Sequence, residues 1–305
     1  MLFRSQSEIA QKIASQLHAK ISPVEKLAIE RKPTGDLGAY ELYALARRLL
    51  PKFGKTIDAG VPSASQAVEL LNQAVARDPS FLLAYLLLAR IHEDLYRFGF
   101  DHTPARLAMA EAALKEASRL RQDAGETHLA RAAYLYAVRD YAGALAELEI
   151  AQPKLPNEPS VFAVKASIQR RQGHWEESTR NFRRAAELDP RNWTRLRELG
   201  RSYGYLLRYA EQKSMLARAL ALEPSNLDLK AEREEVELNW KADPLPLHQL
   251  LDSIRATNPG AIPNIDDYRF LCALAERDAA AAREALSRVG DEMFQGVVHF
   301  APIFM

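Results

Sequence analysis

The chain has 305 residues, and 48% of them are hydrophobic, which is enough to bury a core and excludes general disorder. Its 41 basic and 40 acidic side chains give a net charge of +1, so no global attraction to nucleic acid or to an anionic membrane surface is expected. The single cysteine, Cys272, excludes an internal disulfide and a site built from several thiolates. No apolar run approaches the roughly 20 residues that cross a bilayer, so membrane insertion is not expected.

Residues 1–20 predict an amphipathic helix. Its apolar residues recur along one face at helical spacing, and they include Ile9, Ile13 and Leu17. Residues 21–35 predict a linker, because proline and glycine interrupt this stretch. The main body is then expected to begin with a helix that Asp36 opens.

From residue 36 to residue 259 the sequence repeats. Each repeat closes an Ala/Leu-rich run with a punctuation residue, and these residues are Pro79, Gln122, Pro156, Pro190, Pro224 and Pro259. Their separations are 43, 34, 34, 34 and 35 residues. Because three consecutive steps of 34 are hard to obtain by accident, six stacked units are predicted. Their bounds are 36–79, 82–122, 125–156, 159–190, 193–224 and 227–259.

The interior of each unit predicts two antiparallel helices. In the second helix, small, large and small residues stand four and three positions apart, as in Ala144, Leu148 and Ala151. This spacing places the three on one helical face, where the small residues let a neighbouring helix approach and the large one fills the gap. The fold class predicted is all-α, an α-α superhelix.

The pattern resembles the tetratricopeptide repeat, and the match is best in unit 193–224, where Leu199-Gly200-Arg201-Ser202-Tyr203 fits the repeat signature. The resemblance implies a solenoid of antiparallel helical hairpins. The first unit carries an insertion around Lys52–Pro62. The sixth unit places Lys230 and Glu234 where a large and a small residue belong, so it is expected either to splay from the stack or to cap it.

Residues 263–305 predict a seventh, degenerate hairpin and an apolar tail. Its helices are expected at Asp266–Glu276 and Ala279–Arg288, with a tight turn at Arg277-Asp278. The tail runs from Gly290 to the end and has no clear stop signal.

About the first 50 residues resemble the junction between a TolB-like domain and a repeat array in certain bacterial signalling proteins. The residues that carry the resemblance are Ile9, Ala10, Ile13, Ala14, Pro33, Thr34, Ala39, Tyr40 and Tyr43. It implies that the chain is a fragment, the C-terminal repeat region behind an adenylate cyclase, winged-helix or serine/threonine kinase module. A cytoplasmic location is expected, or a periplasmic one if the parent protein is a membrane-spanning winged-helix regulator.

Two short stretches match catalytic motifs, one of them only in part, but their predicted structure or a missing residue excludes the catalytic function. Gly200-Arg201-Ser202-Tyr203-Gly204 fits G-x-S-x-G, but a nucleophile elbow needs a strand-to-helix turn and this stretch is predicted to be helical. His92-Glu93 begins like H-E-x-x-H, yet Tyr96 stands where the second histidine must be. Cys272 lies on an apolar helical face and is expected to be a buried, inert thiol. We therefore predict no enzymatic activity, no catalytic or metal-binding residues and no cofactor.

The candidate site is the concave groove that the first helix of each hairpin lines in such a solenoid. Inward positions are expected about 4, 7, 11 and 14 residues after each punctuation residue. The candidate groove residues are Leu83, Leu86, Arg90, Leu129, Tyr136, Arg170, Arg197 and Arg201. An apolar anchor and a nearby carboxylate of a partner segment would suit this surface, since guanidinium groups pair well with carboxylates. Alternatively, these arginines pair across neighbouring hairpins with Glu198, Asp228 and Glu235.

Two functions follow from this sequence. The first is a non-catalytic scaffold that binds a protein or peptide, in particular an acidic segment, as the regulatory or sensory region of a bacterial signalling protein. The second is a purely structural array that packs domains of one chain together or forms a homodimer, without an external ligand. Nucleic acid is not an expected partner in either case.

Overall fold

The computed structural model describes residues 32–50 and 57–288. Within these ranges it contains fourteen α-helices and no strand. They are α1 (Leu37–Arg48), α2 (Ile57–Arg77), α3 (Leu82–Arg97), α4 (Pro104–Arg121), α5 (Gly125–Ala137), α6 (Tyr141–Lys154), α7 (Pro159–Arg171), α8 (Trp175–Leu188), α9 (Trp193–Tyr205), α10 (Tyr209–Leu222), α11 (Leu227–Lys241), α12 (Leu245–Thr257), α13 (Asp266–Ala275) and α14 (Ala279–Arg288). A short 3₁₀ helix, Pro259–Ile265, precedes α13.

Consecutive helices pack as seven hairpins, from α1–α2 to α13–α14, and each hairpin packs on the next. The predicted all-α superhelix is therefore confirmed. The predicted helix of residues 1–20, most of the linker, residues 51–56 of the insertion and the tail from Gly290 lie outside the described residues. No helix in the described ranges is both long and apolar enough to cross a membrane.

The core of each hairpin rests on the small–large–small triplets. Ala144 and Ala151 are fully buried in α6, and Leu148 between them is 1% exposed. The same positions in α2 hold the fully buried Ala67, Leu71 and Ala74. Because alanine carries only a methyl group, the partner helix comes close enough for the leucine to fill the remaining space.

The hairpin turns share one backbone conformation. In hairpins two to seven a residue of the turn has a positive φ, and these residues are Gly99, Arg139, Gly173, Leu207, Ala242 and Arg277. After Arg139, the N–H of Asp140 donates to the carbonyl of Leu135 over 2.9 Å, which closes the end of α5. Four of the six are not glycine, so hairpin packing imposes a conformation that costs each of them roughly 1–2 kcal/mol.

The sixth hairpin stays in the stack. Leu229 and Val236 of α11 are fully buried and belong to the core that α9 and α10 also form. Lys230 and Glu234, which stand at the expected packing positions, are only half-buried. Leu229 and Val236 stand 5 and 12 residues after Pro224, and the fully buried Val161 and Ile168 of α7 stand at the same distances after Pro156. The helix α11 therefore packs through repeat positions that another first helix also uses.

Leu148→Ala tests the packing of the hairpins. Truncating this buried leucine leaves a cavity, and we expect the free energy of unfolding to fall by about 2–5 kcal/mol. Ile150→Ala, two residues later in α6 on a side chain that is 43% exposed, is the matched control. It should change stability by less than about 1 kcal/mol. Urea unfolding followed by circular dichroism measures both, and equal losses would contradict the assigned helix faces.

Candidate peptide-binding groove

The first helices of the hairpins lie side by side along one face of the solenoid. Within the described residues α3 contacts α5, α5 contacts α7 and α11 contacts α13. Side-chain ion pairs connect α7 to α9 and α9 to α11. We call this face, formed by α3, α5, α7, α9 and α11, the inner wall. All eight predicted groove residues lie on these helices.

The apolar part of the inner wall is half-buried. Leu83 packs against the core of the first two hairpins, and Leu86 packs near the junction of α4 with α5. Leu129 and Tyr136 pack against the core of hairpins three and four. These four side chains contribute to hairpin stacking and also keep part of their surface accessible. They could contact a bound segment without rearrangement.

The arginines are distributed differently from the apolar residues. The side chain of Arg90 is 63% exposed, and its Nε lies 3.6 Å from Oδ2 of Asp94. An exposed pair of this kind contributes little to stability. Arg90 is therefore available to a ligand. Arg170, Arg197 and Arg201 are instead engaged in ion pairs within the wall.

These three arginines and two glutamates form what we call the inner ion network. Arg170 Nη2 donates to Glu198 Oε2 over 2.8 Å, and this carboxylate also lies 3.4 Å from Nη1 of Arg201. Arg197 donates from Nε and Nη2 to the two oxygens of Glu232, each over 2.7 Å. Arg201 Nε donates to Glu232 Oε1 over 3.0 Å. The network thus joins α7, α9 and α11.

Burial and charge oppose one another in this network. Burial disfavours the ionised form of Glu232, but Arg197 and Arg201 outweigh it and lower its pKa to about 2. Burial also raises the pKa of Glu198, but the attraction of Arg170 and Arg201 is stronger and lowers this pKa to about 2. Both carboxylates are charged at neutral pH. The guanidinium groups of Arg170, Arg197 and Arg201, three of the predicted groove residues, are therefore already paired with carboxylates of the chain.

The alternative prediction, that these arginines pair with carboxylates of neighbouring hairpins, agrees in part with the observed ion pairs. Glu198 is a partner, as that interpretation expected, but Glu232 was not among its candidates. Glu232 lies on the same face of α11 as Asp228 and Glu235, four residues after the first and three before the second. Helical spacing from those two acids could have revealed it. All three side chains are buried.

Arg195 is an inner-wall residue that the sequence analysis missed. Its Nη2 donates to Oγ of Ser160 on α7 over 3.2 Å, and its buried Nε has no hydrogen-bond partner among the described residues. The carboxylates of Glu158, Asp189 and Glu198 attract its guanidinium charge. Burial lowers the pKa of Arg195, and repulsion from Arg90 is the next largest cause, ahead of the attraction of Glu158. Arginine nevertheless stays charged.

The motifs with a catalytic appearance lie inside helices. Ser202 is a buried residue of α9, so no strand-to-helix elbow exposes its hydroxyl. His92 is buried in α3, and its Nδ1 lies 3.0 Å from Nη1 of Arg106. Burial and then Arg106 lower the pKa of His92 to about 4, so the ring is neutral at pH 7. Burial raises the pKa of the Cys272 thiol to about 12, which leaves it protonated and a poor nucleophile.

Solved structures resemble this chain, whereas no protein-family model and no curated protein sequence matches it. A tetratricopeptide repeat protein of Parabacteroides merdae is 14% identical over 86% of this chain and 98% of its own, with a TM-score of 0.52. A thermophilic tetratricopeptide repeat protein of Thermus thermophilus is 16% identical over 66% of this chain and 99% of its own, with a TM-score of 0.53. The fold is a tetratricopeptide repeat solenoid.

A monomeric mutant of IFIT1, solved with a capped RNA oligonucleotide, is also similar in fold. It is 14% identical over 98% of this chain and 68% of its own, with a TM-score of 0.66. At such identities the likeness concerns the fold alone. The resemblance of the first 50 residues to bacterial signalling proteins remains a prediction.

The inner ion network predicts a specific dependence of stability on pH. In the folded chain the pKa of Glu232 is about 2, against an ordinary value of 4.5. The unfolded chain takes up the proton first as pH falls, so the stabilisation is complete above pH 4.5 and is lost progressively toward pH 2. Glu232→Gln removes this titration. Its thermal midpoint should fall less over that interval than that of the unmodified chain.

Glu187→Gln is the control for this pH dependence, since the Glu187 side chain is 55% exposed and makes only a 3.6 Å contact with Arg184. It should follow the unmodified chain at every pH. Thermal midpoints measured by circular dichroism in steps between pH 7 and pH 2 give the comparison. Parallel curves for Glu232→Gln and the unmodified chain would show that Glu232 does not carry a depressed pKa.

Proposed function

We propose that this chain is a non-catalytic scaffold whose inner wall binds a segment of another protein. The observation that carries the proposal is Arg195, a cation on a recognition surface whose Nε is buried and has no hydrogen-bond partner among the described residues. Leaving a buried donor unsatisfied costs free energy, typically about 1–3 kcal/mol. A ligand carboxylate beside the guanidinium of Arg195 would pair with its positive charge.

The chemistry of the wall favours a carboxylate-bearing segment with an apolar anchor. Arg195 and Arg90 repel each other, and a bound carboxylate between them would relieve that repulsion. The half-exposed Leu86, Leu129 and Tyr136 offer apolar surface to the rest of the segment. Arg170, Arg197 and Arg201 then serve to hold the wall in shape, because the inner ion network occupies their guanidinium groups. A net charge of +1 gives no support to nucleic acid as the partner.

We also propose that the array is the regulatory or sensory region of a cytoplasmic bacterial signalling protein. The support is the resemblance of residues 1–50 to the junction that follows a TolB-like domain. Sequencing the DNA upstream of the codon for Met1 tests this proposal directly. A cyclase, kinase or winged-helix module in the same reading frame is the expected result, and an unrelated upstream gene with its own stop codon would contradict it.

A structural role without an external ligand is the competing function. It is favoured by the inner ion network, since the chain itself supplies carboxylates for most of the inner-wall arginines. An array of this kind would hold its own domains or a second copy in place. The two functions differ in whether the inner wall binds a defined peptide.

Peptide selection separates the two functions. The probe is a displayed library of random twelve-residue peptides, selected on the purified chain and then titrated individually by fluorescence anisotropy. Selected peptides should combine an acidic and a large apolar residue. Arg195→Glu should weaken their binding by at least about tenfold, since a like charge replaces the pairing group.

Arg218→Glu is the matched control because Arg218 is exposed on α10, a second helix outside the inner wall. It should leave peptide affinity unchanged, and circular dichroism should show both variants folded. Peptides that bind the unmodified chain and Arg195→Glu equally would contradict the proposed site. Failure to select any peptide would favour the structural role.

A further inference from the structure

Three side chains of different types that bind metals converge where the sixth hairpin meets the seventh. They are His248 of α12, Cys272 of α13 and Glu276 directly after α13. One candidate ligand atom from each lies within 4.8 Å of the other two. In the described ranges this is the one such group of three or more histidine, cysteine and acidic residues. The sequence predicts no metal ligands, because its seven histidines are scattered without ligand spacing and its cysteine is alone. The fold brings His248 and Cys272 together across 24 positions of the chain.

Helix geometry explains the convergence. Cys272 and Glu276 stand four residues apart, so they share one face at the end of α13. His248 lies in the first turn of α12, which packs against α13. The start of α12 meets the end of α13, and His248 Nδ1 lies 2.7 Å from Glu276 Oε1. The Cys272 residue is buried, whereas His248 and Glu276 reach the surface.

We propose that His248, Cys272 and Glu276 bind a zinc ion through one imidazole nitrogen, the thiolate and one carboxylate oxygen. Zinc accepts this mixture of nitrogen, sulfur and oxygen, whereas magnesium and calcium require oxygen ligands. In a tetrahedral zinc site, bond lengths of about 2.0–2.3 Å place neighbouring ligand atoms about 3.5 Å apart. The three atoms, already within 4.8 Å of one another, reach that spacing by small side-chain rotations. The fourth position would face solvent.

The surroundings of His248 support the assignment of its two nitrogens. Nδ1 faces Glu276, while Nε2 lies 3.1 Å from Oδ2 of Asp252, one turn further along α12. A carboxylate that accepts a hydrogen bond from the far nitrogen of a metal-bound histidine is a common outer partner, because it orients the ring and makes the near nitrogen more basic. Asp252 is therefore a positioning residue for the zinc ligand.

An ordinary surface ion pair is the competing explanation of this cluster. His248, Glu276 and Asp252 are partly exposed, and such pairs contribute little to stability. That explanation gives the buried thiol of Cys272 only weak contacts, with the carbonyl oxygen of Pro244 at 3.9 Å and with the Glu276 carboxylate. Zinc would displace the thiol proton into solvent and connect α12 to α13. The last hairpin would then be fastened to the array.

The test uses the full chain, with any affinity tag removed, treated with a chelator and then titrated with zinc ions alone. Calorimetry should show one zinc per chain, and zinc should raise the thermal midpoint, since a ligand that binds only the folded state stabilises it. Cobalt added instead should give the absorption bands of a tetrahedral, thiolate-bound ion. Cys272→Ser should abolish those bands and weaken zinc binding by about 100-fold or more.

Variants of the other residues in the cluster, and of one distant histidine, test whether zinc binds at this site. Glu276→Gln, on an exposed side chain, should also weaken zinc binding, and Asp252→Asn should weaken it by about tenfold. His174→Gln removes an exposed histidine far along the chain and should change nothing. Absence of stoichiometric zinc binding by the unmodified chain would overturn the proposal. Equal binding by a folded Cys272→Ser variant, or loss of binding in His174→Gln, would overturn it as well.

Discussion

The close approach of alanine-rich helix faces is the constraint on which the rest of this structure depends. In α6 two fully buried alanines flank Leu148, and equivalent triplets recur in the second helices of the other regular hairpins. A larger residue at either small position would push the partner helix away and change the step from one hairpin to the next. The inner wall exists because these steps are similar, so that successive first helices come side by side.

In the inner wall, charged side chains of neighbouring hairpins form ion pairs with one another. Three arginines that were expected to face a ligand instead pair with Glu198 and Glu232 in the inner ion network. Removing either partner of such a buried pair would leave an uncompensated charge, so these groups maintain the geometry of the wall. Arg195 differs because its neighbour on α7 is the hydroxyl of Ser160, which cannot neutralise it. The proposed peptide site therefore depends on Arg195 and Arg90 and not on the paired arginines.

The seventh hairpin contains a charged contact in addition to its apolar core. In the seventh hairpin Asp266 and Arg269 form a buried ion pair of 2.7 Å, which adds a specific contact to the apolar core around Tyr268. The cluster of His248, Cys272 and Glu276 lies where this hairpin meets the sixth, so a bound ion would connect the two hairpins.

The sequence by itself determined the fold class, the period and the alternation of small and large residues, because these depend on spacings of three and four residues within one helix. Even the turn at Arg277-Asp278 could be located from the pattern around it. Only the tertiary structure decided which charges meet, since that depends on how each helix is rotated about its axis against the next hairpin. The packing of α11 against α9 brings Glu232 to Arg197, and the packing of α12 against α13 brings His248 to Cys272. Both pairs are distant in sequence, and no local periodicity specifies them.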